Sequence, residues 1–129
     1  MANLNVQADV RRRLAEALQG VTVAVSVPPG WPEDPASPSP LVTVRREGGA
    51  RLDGLQDRPG IGVYAYAATE AGACELAERV RSTMAGLPFL AGYSRVDEEA
   101  VYSDPDPDSR VPRWYLSFTV TTFDPNNYS

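Results

Sequence analysis

The residues whose types and spacing come closest to a chemical site are three aspartates that alternate with two prolines in residues 104–108. Calcium loops of the EF-hand type place oxygen ligands at alternate positions in this way. They also need a glycine at the sixth position and an acid at the twelfth, where this chain has Ser109 and Tyr115. The prolines stiffen the run, so the sequence favours a solvated hairpin loop over a calcium site.

Two other groups could in principle support catalysis. Glu98 and Glu99 are adjacent, and adjacent residues of a strand point to opposite faces, so they cannot flank one substrate. They are better explained as part of a charged edge strand. Cys74 has Glu75 and Glu78 nearby instead of a base or a positive charge, which favours a small packing residue over a nucleophile.

Two absent residue types and a single cysteine exclude much of the remaining chemistry. The chain has no histidine, no lysine and a single cysteine. Histidine triads, histidine metal sites, Schiff-base lysines, phosphate-binding lysines and internal disulfides are therefore excluded. We expect no catalytic, metal or cofactor-binding residues, and we do not expect an enzyme. The net charge of −5 also argues against a general nucleic-acid-binding surface.

Other residues of the sequence are better candidates for contacts with a protein partner than for catalysis. Trp31 lies in a proline-rich loop, residues 28–40, and it either folds back on the protein, which we favour, or is offered to a partner. Arg45 and Arg46 are adjacent, so their guanidinium groups lie on opposite faces of a strand. One of them is expected to meet solvent and the other an acid on a neighbouring strand or subunit. The alternative is that both are ordinary surface charges. Gly48-Gly49 predicts a hairpin turn, since it is too short for a phosphate loop.

The elements that position these residues follow from hydrophobic periodicity. The 129 residues fit a single domain, residues 1–129, with an ordinary hydrophobic core. A helical stripe begins at Val6, after a possible Asn5 cap, and a second follows a possible Thr69 cap. The predicted order is α-β-β-β-α-β-β. Gly20 ends the first helix, and Gly86 and Pro88 end the second. The strands are predicted at 21–27, 41–47, 61–68, 93–103 and 113–123, and a polar tail follows at 124–129.

The faces of these elements predict an α+β fold: a mixed or antiparallel sheet with both helices packed on one face. The strand after Pro112 alternates most clearly, with Trp114 and Phe118 on its apolar side, so we expect both in the core. Tyr64 and Tyr66 face away from the apolar side of their strand. The helical stripes comprise Val6, Val10, Leu14, Ala17 and Leu18 in the first helix, and Ala73, Leu76, Ala77, Val80 and Met84 in the second.

Nothing in the sequence predicts a membrane location. No apolar run approaches the roughly 18 residues that a membrane span needs. Residues 1–18 alternate charged and aliphatic side chains and have no signal-peptide core. We therefore expect a protein that is made and used without export.

The order of several short motifs carries a resemblance. After the proline-rich loop come LVTVRREGG at 41–49, GVYAYAATE at 62–70 and AERVR at 77–81, then DPDPD at 104–108 and RWYLSFTV at 113–120. This succession, over roughly residues 6–123, resembles the small tail terminator (tail completion) proteins of long-tailed bacteriophages. A head-closure factor or other phage neck protein shares much of the pattern, and a small-molecule-binding α+β domain is the alternative from another class.

The resemblance implies a structural virion protein of the tail or neck, assembled in the host cytoplasm. Such proteins form a homohexameric ring on the last ring of tail-tube subunits, end tube polymerisation and present the surface that docks to the head. The implied partners are further copies of the chain, the tail-tube protein and a head-completion or neck protein. DNA passes through the ring without specific binding, and no cofactor is involved.

A ring of identical subunits needs two different patches that meet head to tail. The helical stripes are used up by the sheet, so we expect polar contacts in which loops and charges matter most. Acidic residues would also suit a bore through which DNA slides. The candidate subunit or partner contacts are Trp31, Arg45, Arg46, Arg51, Asp53, Asp57, Asp104, Asp106 and Asp108.

Overall fold

The computed structural model describes residues 5–51, 56–90 and 92–123. The helices and strands follow the predicted order, with a short 3-10 helix, Leu87–Phe89, added after the second helix. The helices are α1 (Val6–Ala17) and α2 (Glu70–Ala85), and the strands are β1 (Thr22–Ala24), β2 (Leu41–Arg51), β3 (Gln56–Tyr66), β4 (Tyr93–Ser103) and β5 (Arg113–Phe123).

The strands form one mixed sheet in the order β1-β2-β3-β5-β4. β1 pairs with β2 in parallel, and every other neighbouring pair is antiparallel. The predicted α+β class is therefore confirmed. β4 lies at an edge of the sheet, as its charged sequence predicted, whereas the strongly apolar β5 is an interior strand between β3 and β4.

Both helices begin at the predicted caps. The side chain of Asn5 accepts a hydrogen bond from the backbone N–H of Ala8 at 3.1 Å, and the hydroxyl of Thr69 accepts one from Gly72 at 3.0 Å. These contacts satisfy backbone donors that have no partner inside the helix. α1 ends before Gly20, whose φ of 81° lies in the left-handed region that glycine adopts without strain.

The core lies between the two helices and one face of the sheet. The α2 stripe is buried as predicted, and so is the α1 stripe except for Ala17, which is exposed. Phe118 is 2% exposed, which confirms its core position. Trp114 packs against the core but is only half-buried, and its indole N–H donates to Glu70 Oε1 at 2.9 Å. None of the helices in the described residues is long and apolar enough to cross a membrane.

The first strand is shorter than predicted. The alternating run at 21–27 pairs with β2 only from Thr22 to Ala24, and Val25 and Val27 are exposed. β1 is an edge strand with a single neighbour, and the chain soon reaches Pro28 and Pro29, which have no N–H to extend a ladder. Alternation alone therefore overestimated the length of this strand.

The predicted turn at Gly48-Gly49 is wrong. β2 continues through both glycines to Arg51, and β3 begins at Gln56, before the predicted start at residue 61. The pairing register shifts between Arg46 and Gly49, and Gly48 has a φ of 97°. The glycines therefore form an irregularity within a longer hairpin, where a left-handed residue lets one strand bulge without ending the ladder.

Candidate functional site

The face of the sheet opposite the helices is not covered by any helix or strand of the described part of the chain. We call this surface the open face and define it by the side chains of six residues. Tyr115 contacts two of the others across the strands. Its hydroxyl donates a hydrogen bond to Glu47, and its ring lies against the ring of Tyr64. The residues of the open face are Arg45, Glu47, Tyr64, Tyr66, Tyr102 and Tyr115, of which Tyr66 is buried against Trp31.

A row of aromatic rings crosses the open face. Ring centroids are 5.0 Å apart between Tyr64 and Tyr115, 5.3 Å between Tyr102 and Tyr115, and 6.2 Å between Tyr64 and Tyr66. Trp31 extends the row, with its ring 5.1 Å from Tyr66 in an edge-on arrangement. These separations are in the attractive range for aromatic pairs, so the row forms a preorganised amphipathic surface.

Arg113 anchors one end of this row. Its guanidinium carbon lies 4.1 Å from the ring centroid of Tyr64 and 5.7 Å from that of Tyr66, which are cation–π distances. The same guanidinium donates to the Asp104 carboxylate at 3.0 Å and to the Asp104 carbonyl at 2.7 Å. Asp104 therefore helps to hold the start of β5 through both its carboxylate and its carbonyl.

Glu47 and Tyr115 form the polar centre of the open face. The Tyr115 hydroxyl donates to Glu47 Oε1 at 2.5 Å, and the Glu47 carboxylate occupies the space that a side chain at Gly62 would fill. Burial and then the bond to Glu47 raise the pKa of Tyr115 to about 12. Tyr115 is therefore neutral at physiological pH and acts as a hydrogen-bond donor. A depression of about 400 Å³ beside this pair is lined by Arg45, Arg46, Glu47, Gly62 and Tyr64.

Trp31 folds back on the protein, which confirms the favoured alternative. Its indole N–H donates to the carbonyl of Ser39 at 3.1 Å, so the proline-rich loop closes on itself. The ring packs against a small cluster formed by Leu41, Tyr66 and Val111, separate from the main core. Trp31 is half-buried there, and it helps attach the loop to the end of the sheet.

The predicted arginine sites lie on the β2–β3 hairpin. Arg45 and Arg46 occupy successive positions of β2 and are both exposed, and the backbone N–H of Arg46 donates to Gln7 of α1 at 2.8 Å. Arg51 and Asp57 occupy opposed positions in the strand register. Asp53 lies outside the described residues.

The aspartates at 104–108 form the hairpin loop that the sequence favoured. The Asp106 carbonyl accepts the N–H of Arg110 at 2.8 Å, and its carboxylate accepts from the Ser109 hydroxyl at 2.8 Å and the Asp108 N–H at 3.2 Å. Asp108 itself is exposed. Among the described residues, no group of three carboxylate or cysteine side chains is placed to hold a metal ion.

The remaining sequence candidates have structural partners. Glu98 binds Arg81 of α2 through two hydrogen bonds, of 2.6 and 3.1 Å, so it ties the edge strand to the helix. Glu99 is exposed, next to the register shift between Glu98 and Ala100. Cys74 is a free, half-buried thiol on α2. These residues do not assemble into a catalytic group.

The register places the predicted contact residues at opposite ends of the sheet. Leu41 and Arg113 both pair with Tyr66, so Trp31 and the aspartate loop lie at one end, whereas Arg51 and Asp57 lie at the other. The length of β2 separates the two ends by about 30 Å. The sequence did not single out Glu47, Tyr102, Tyr115 or Arg113, although the alternation of tyrosines with core residues on β3 and β5 was a usable signal.

Comparisons with known proteins agree with this fold. The structure resembles a chain from the "Virion of native gene transfer agent (GTA) particle", with a TM-score of 0.56, 20% sequence identity, and coverage of 94% of this chain and 89% of that chain. A search of curated proteins finds no match. The family model described as "Phage tail termination protein" matches residues 3–88, about two thirds of the sequence. This chain therefore belongs to the phage tail termination protein family, a family of structural tail proteins.

Proposed function

We propose that this protein is a tail terminator that forms a homohexameric ring on the last ring of tail-tube subunits. The ring ends tube polymerisation and presents the surface to which the filled head, through a head-completion or neck protein, docks. Beyond the family itself, the main structural support for this proposal is the open face. It is a surface of tyrosine and arginine side chains that no described helix or strand covers, and only its Tyr66 end is buried against Trp31.

The chemistry of the open face suits protein assembly. Tyrosine and arginine are enriched at protein interfaces because each combines a large contact area with hydrogen-bonding groups at its tip. Tyr102, which is 50% exposed at the edge of the row, leaves much of its ring available to a partner. A small-molecule site would instead bring a few polar groups together inside an enclosed apolar cavity. The three depressions described on this protein, of about 340 to 400 Å³, are open to solvent and not enclosed.

The charge of the chain suits a ring through which DNA passes. With 17 acidic residues against 12 arginines, the ring carries an excess of negative charge, which does not condense onto phosphates. DNA therefore moves through the bore without specific binding. The protein functions in the virion tail or neck after assembly in the host cytoplasm, with no cofactor, metal ion or membrane.

Tube assembly in vitro tests this function. The tail-tube protein of the same particle is polymerised with increasing amounts of the terminator, and tube lengths are measured by electron microscopy. We expect the tubes to stop growing, with added density at one end. Tyr102→Ala should weaken capping, whereas Glu75→Ala, an exposed change on α2, should not. Unchanged tube lengths at saturating protein would contradict the proposal, and binding to head vertices alone would assign the protein to head closure.

A further inference from the structure

Two arginines of the open-face side of the sheet have no partner within the described residues. Arg45 lies on β2 opposite Gly62, and Arg58 lies on β3, in the alternation that also contains Gly62 and Tyr64. Both side chains are exposed, and neither forms a hydrogen bond or an ion pair with another described residue. This half of the sheet is therefore suited to an acidic partner.

The loop between β4 and β5 has the complementary chemistry. We call residues 104–110 the aspartate–proline loop. Its backbone is held by bonds from Asp104 to the Arg113 carbonyl at 2.8 Å and from Asp106 to the Val111 carbonyl at 3.1 Å. Pro105, Pro107 and Asp108 are exposed. Proline-rich segments dock on aromatic surfaces, and a loop that is already ordered loses little entropy on binding.

The fold keeps the loop of a chain away from Arg58 of the same chain. The aspartate–proline loop lies at the end of the sheet where β5 begins, whereas Arg58 lies near the start of β3, at the opposite end. The stretch of β3 from Arg58 to Tyr66 spans about 26 Å, and Arg45 lies about halfway along it, opposite Gly62. A contact between the loop and Arg58 must therefore join two copies of the chain. It uses different patches on the two partners, which is the type of contact that generates a closed ring.

We propose that the aspartate–proline loop of one copy binds the open face of the next copy. The two exposed prolines lie against the tyrosine row, and the carboxylate of Asp108 faces Arg45 and Arg58. This contact rests on the proposed ring and specifies which surfaces build it. Asp104 and Asp106 contribute indirectly, because their carboxylates hold the loop in shape.

Two complementary variants test the contact. The face variant carries Arg45→Glu and Arg58→Glu, and the loop variant carries Pro107→Ser and Asp108→Ser, a neutral change that creates no new attraction to the altered face. All four side chains are exposed, and circular dichroism and thermal unfolding verify that both variants fold. The matched controls are Arg79→Glu and Glu75→Arg, which reverse charges at exposed positions of α2. Self-association is measured by sedimentation velocity and native mass spectrometry up to millimolar protein.

We expect each variant alone to associate at least roughly tenfold more weakly than the wild type, because its one altered patch removes every contact around the ring. A mixture of the two should form a complex with one copy of each and nothing larger, since only the intact loop of the face variant and the intact face of the loop variant remain. The α2 controls should assemble as the wild type does.

Three outcomes would overturn the contact. The first is a folded face or loop variant that assembles like the wild type. The second is a mixture in which both variants stay monomeric. Neither of these two results would contradict the ring of the proposed function. The third is a wild-type chain that stays monomeric at millimolar concentration and on tube ends. That result would contradict the ring of the proposed function, and this contact with it.

Discussion

Two phenylalanines show how strongly position decides the role of one residue type. Phe118 is 2% exposed and lies between the helices and the sheet, whereas Phe89, at the end of the short 3-10 helix, is 90% exposed. Burying an aromatic side chain contributes roughly 1.5 to 3 kcal/mol from the transfer of apolar surface alone. Removing the buried ring also leaves a cavity, which adds to the cost.

Phe118→Ala is therefore expected to lower the free energy of unfolding by about 3–5 kcal/mol. Phe89→Ala makes the same chemical change at an exposed position and should alter stability by less than about 0.5 kcal/mol. Chemical denaturation of the monomer, followed by circular dichroism, measures both. Equal effects of the two substitutions would show that Phe118 does not contribute to the core as its burial indicates.

At the scale of elements, one polar cluster joins α1 to the edge strand β4. The carboxylate of Asp9 accepts hydrogen bonds from Arg12 at 2.7 Å, from Arg13 at 2.8 Å and from the hydroxyl of Tyr93. Burial alone would raise the pKa of Asp9, but the bonds from Tyr93, Arg13 and Arg12 outweigh it and lower the pKa below its ordinary value. The ionised form of Asp9 therefore stabilises the attachment of the helix.

Asp9→Asn should lower the free energy of unfolding at neutral pH by about 1–3 kcal/mol, because it removes charged hydrogen bonds at a largely buried site. A lowered pKa means that this contribution is complete above the ordinary pKa of 3.8 and is lost as the pH falls through the lowered value. The stability difference between wild type and variant should shrink in that acid range.

Denaturation at a series of pH values measures this difference. Glu16→Gln is the matched control on the same helix, because Glu16 pairs only with the exposed Arg12 in the described structure, at 3.0 Å. Its effect should stay within about 0.5 kcal/mol at every pH. A difference for Asp9→Asn that is independent of pH would show that the ionised carboxylate is not what holds α1.

At the scale of the whole molecule, the distribution of charge leads to a prediction about assembly. The surfaces proposed to meet carry Arg45 and Arg58 on one copy and the aspartate–proline loop on the other. Salt screens such contacts, since the Debye length falls from about 10 Å at 0.1 M to about 3 Å at 1 M. Ring formation, or docking on tube ends, should therefore weaken as the ionic strength rises.

Sedimentation velocity at a fixed protein concentration, in sodium chloride from about 0.05 to 1 M, measures this dependence. Thermal unfolding in the same buffers separates a loss of assembly from a loss of folding. Assembly that is indifferent to salt would indicate apolar contacts instead, and the exposed Phe89, Val25 and Val27 are then the first side chains to test.

Local sequence patterns determined a large part of this fold. The caps Asn5 and Thr69, the buried stripe of α2, and the bounds of β4 and β5 agree with the predictions. These features depend on the periodicity of apolar side chains and on hydrogen bonds between residues close in sequence. The order of the elements and of the motifs was also sufficient to suggest the family to which the chain belongs.

The tertiary structure alone decided the features that depend on a neighbouring strand. β1 is short because of its position at the edge of the sheet, and the glycines of β2 form an irregularity because β3 continues to pair beyond them. The candidate site has the same origin. Tyr64, Tyr102 and Tyr115 lie on three different strands, and only the register of the sheet aligns them into one row. The sequence supplied the side chains, but long-range pairing determined which of them share a surface and which lie at opposite ends of the molecule.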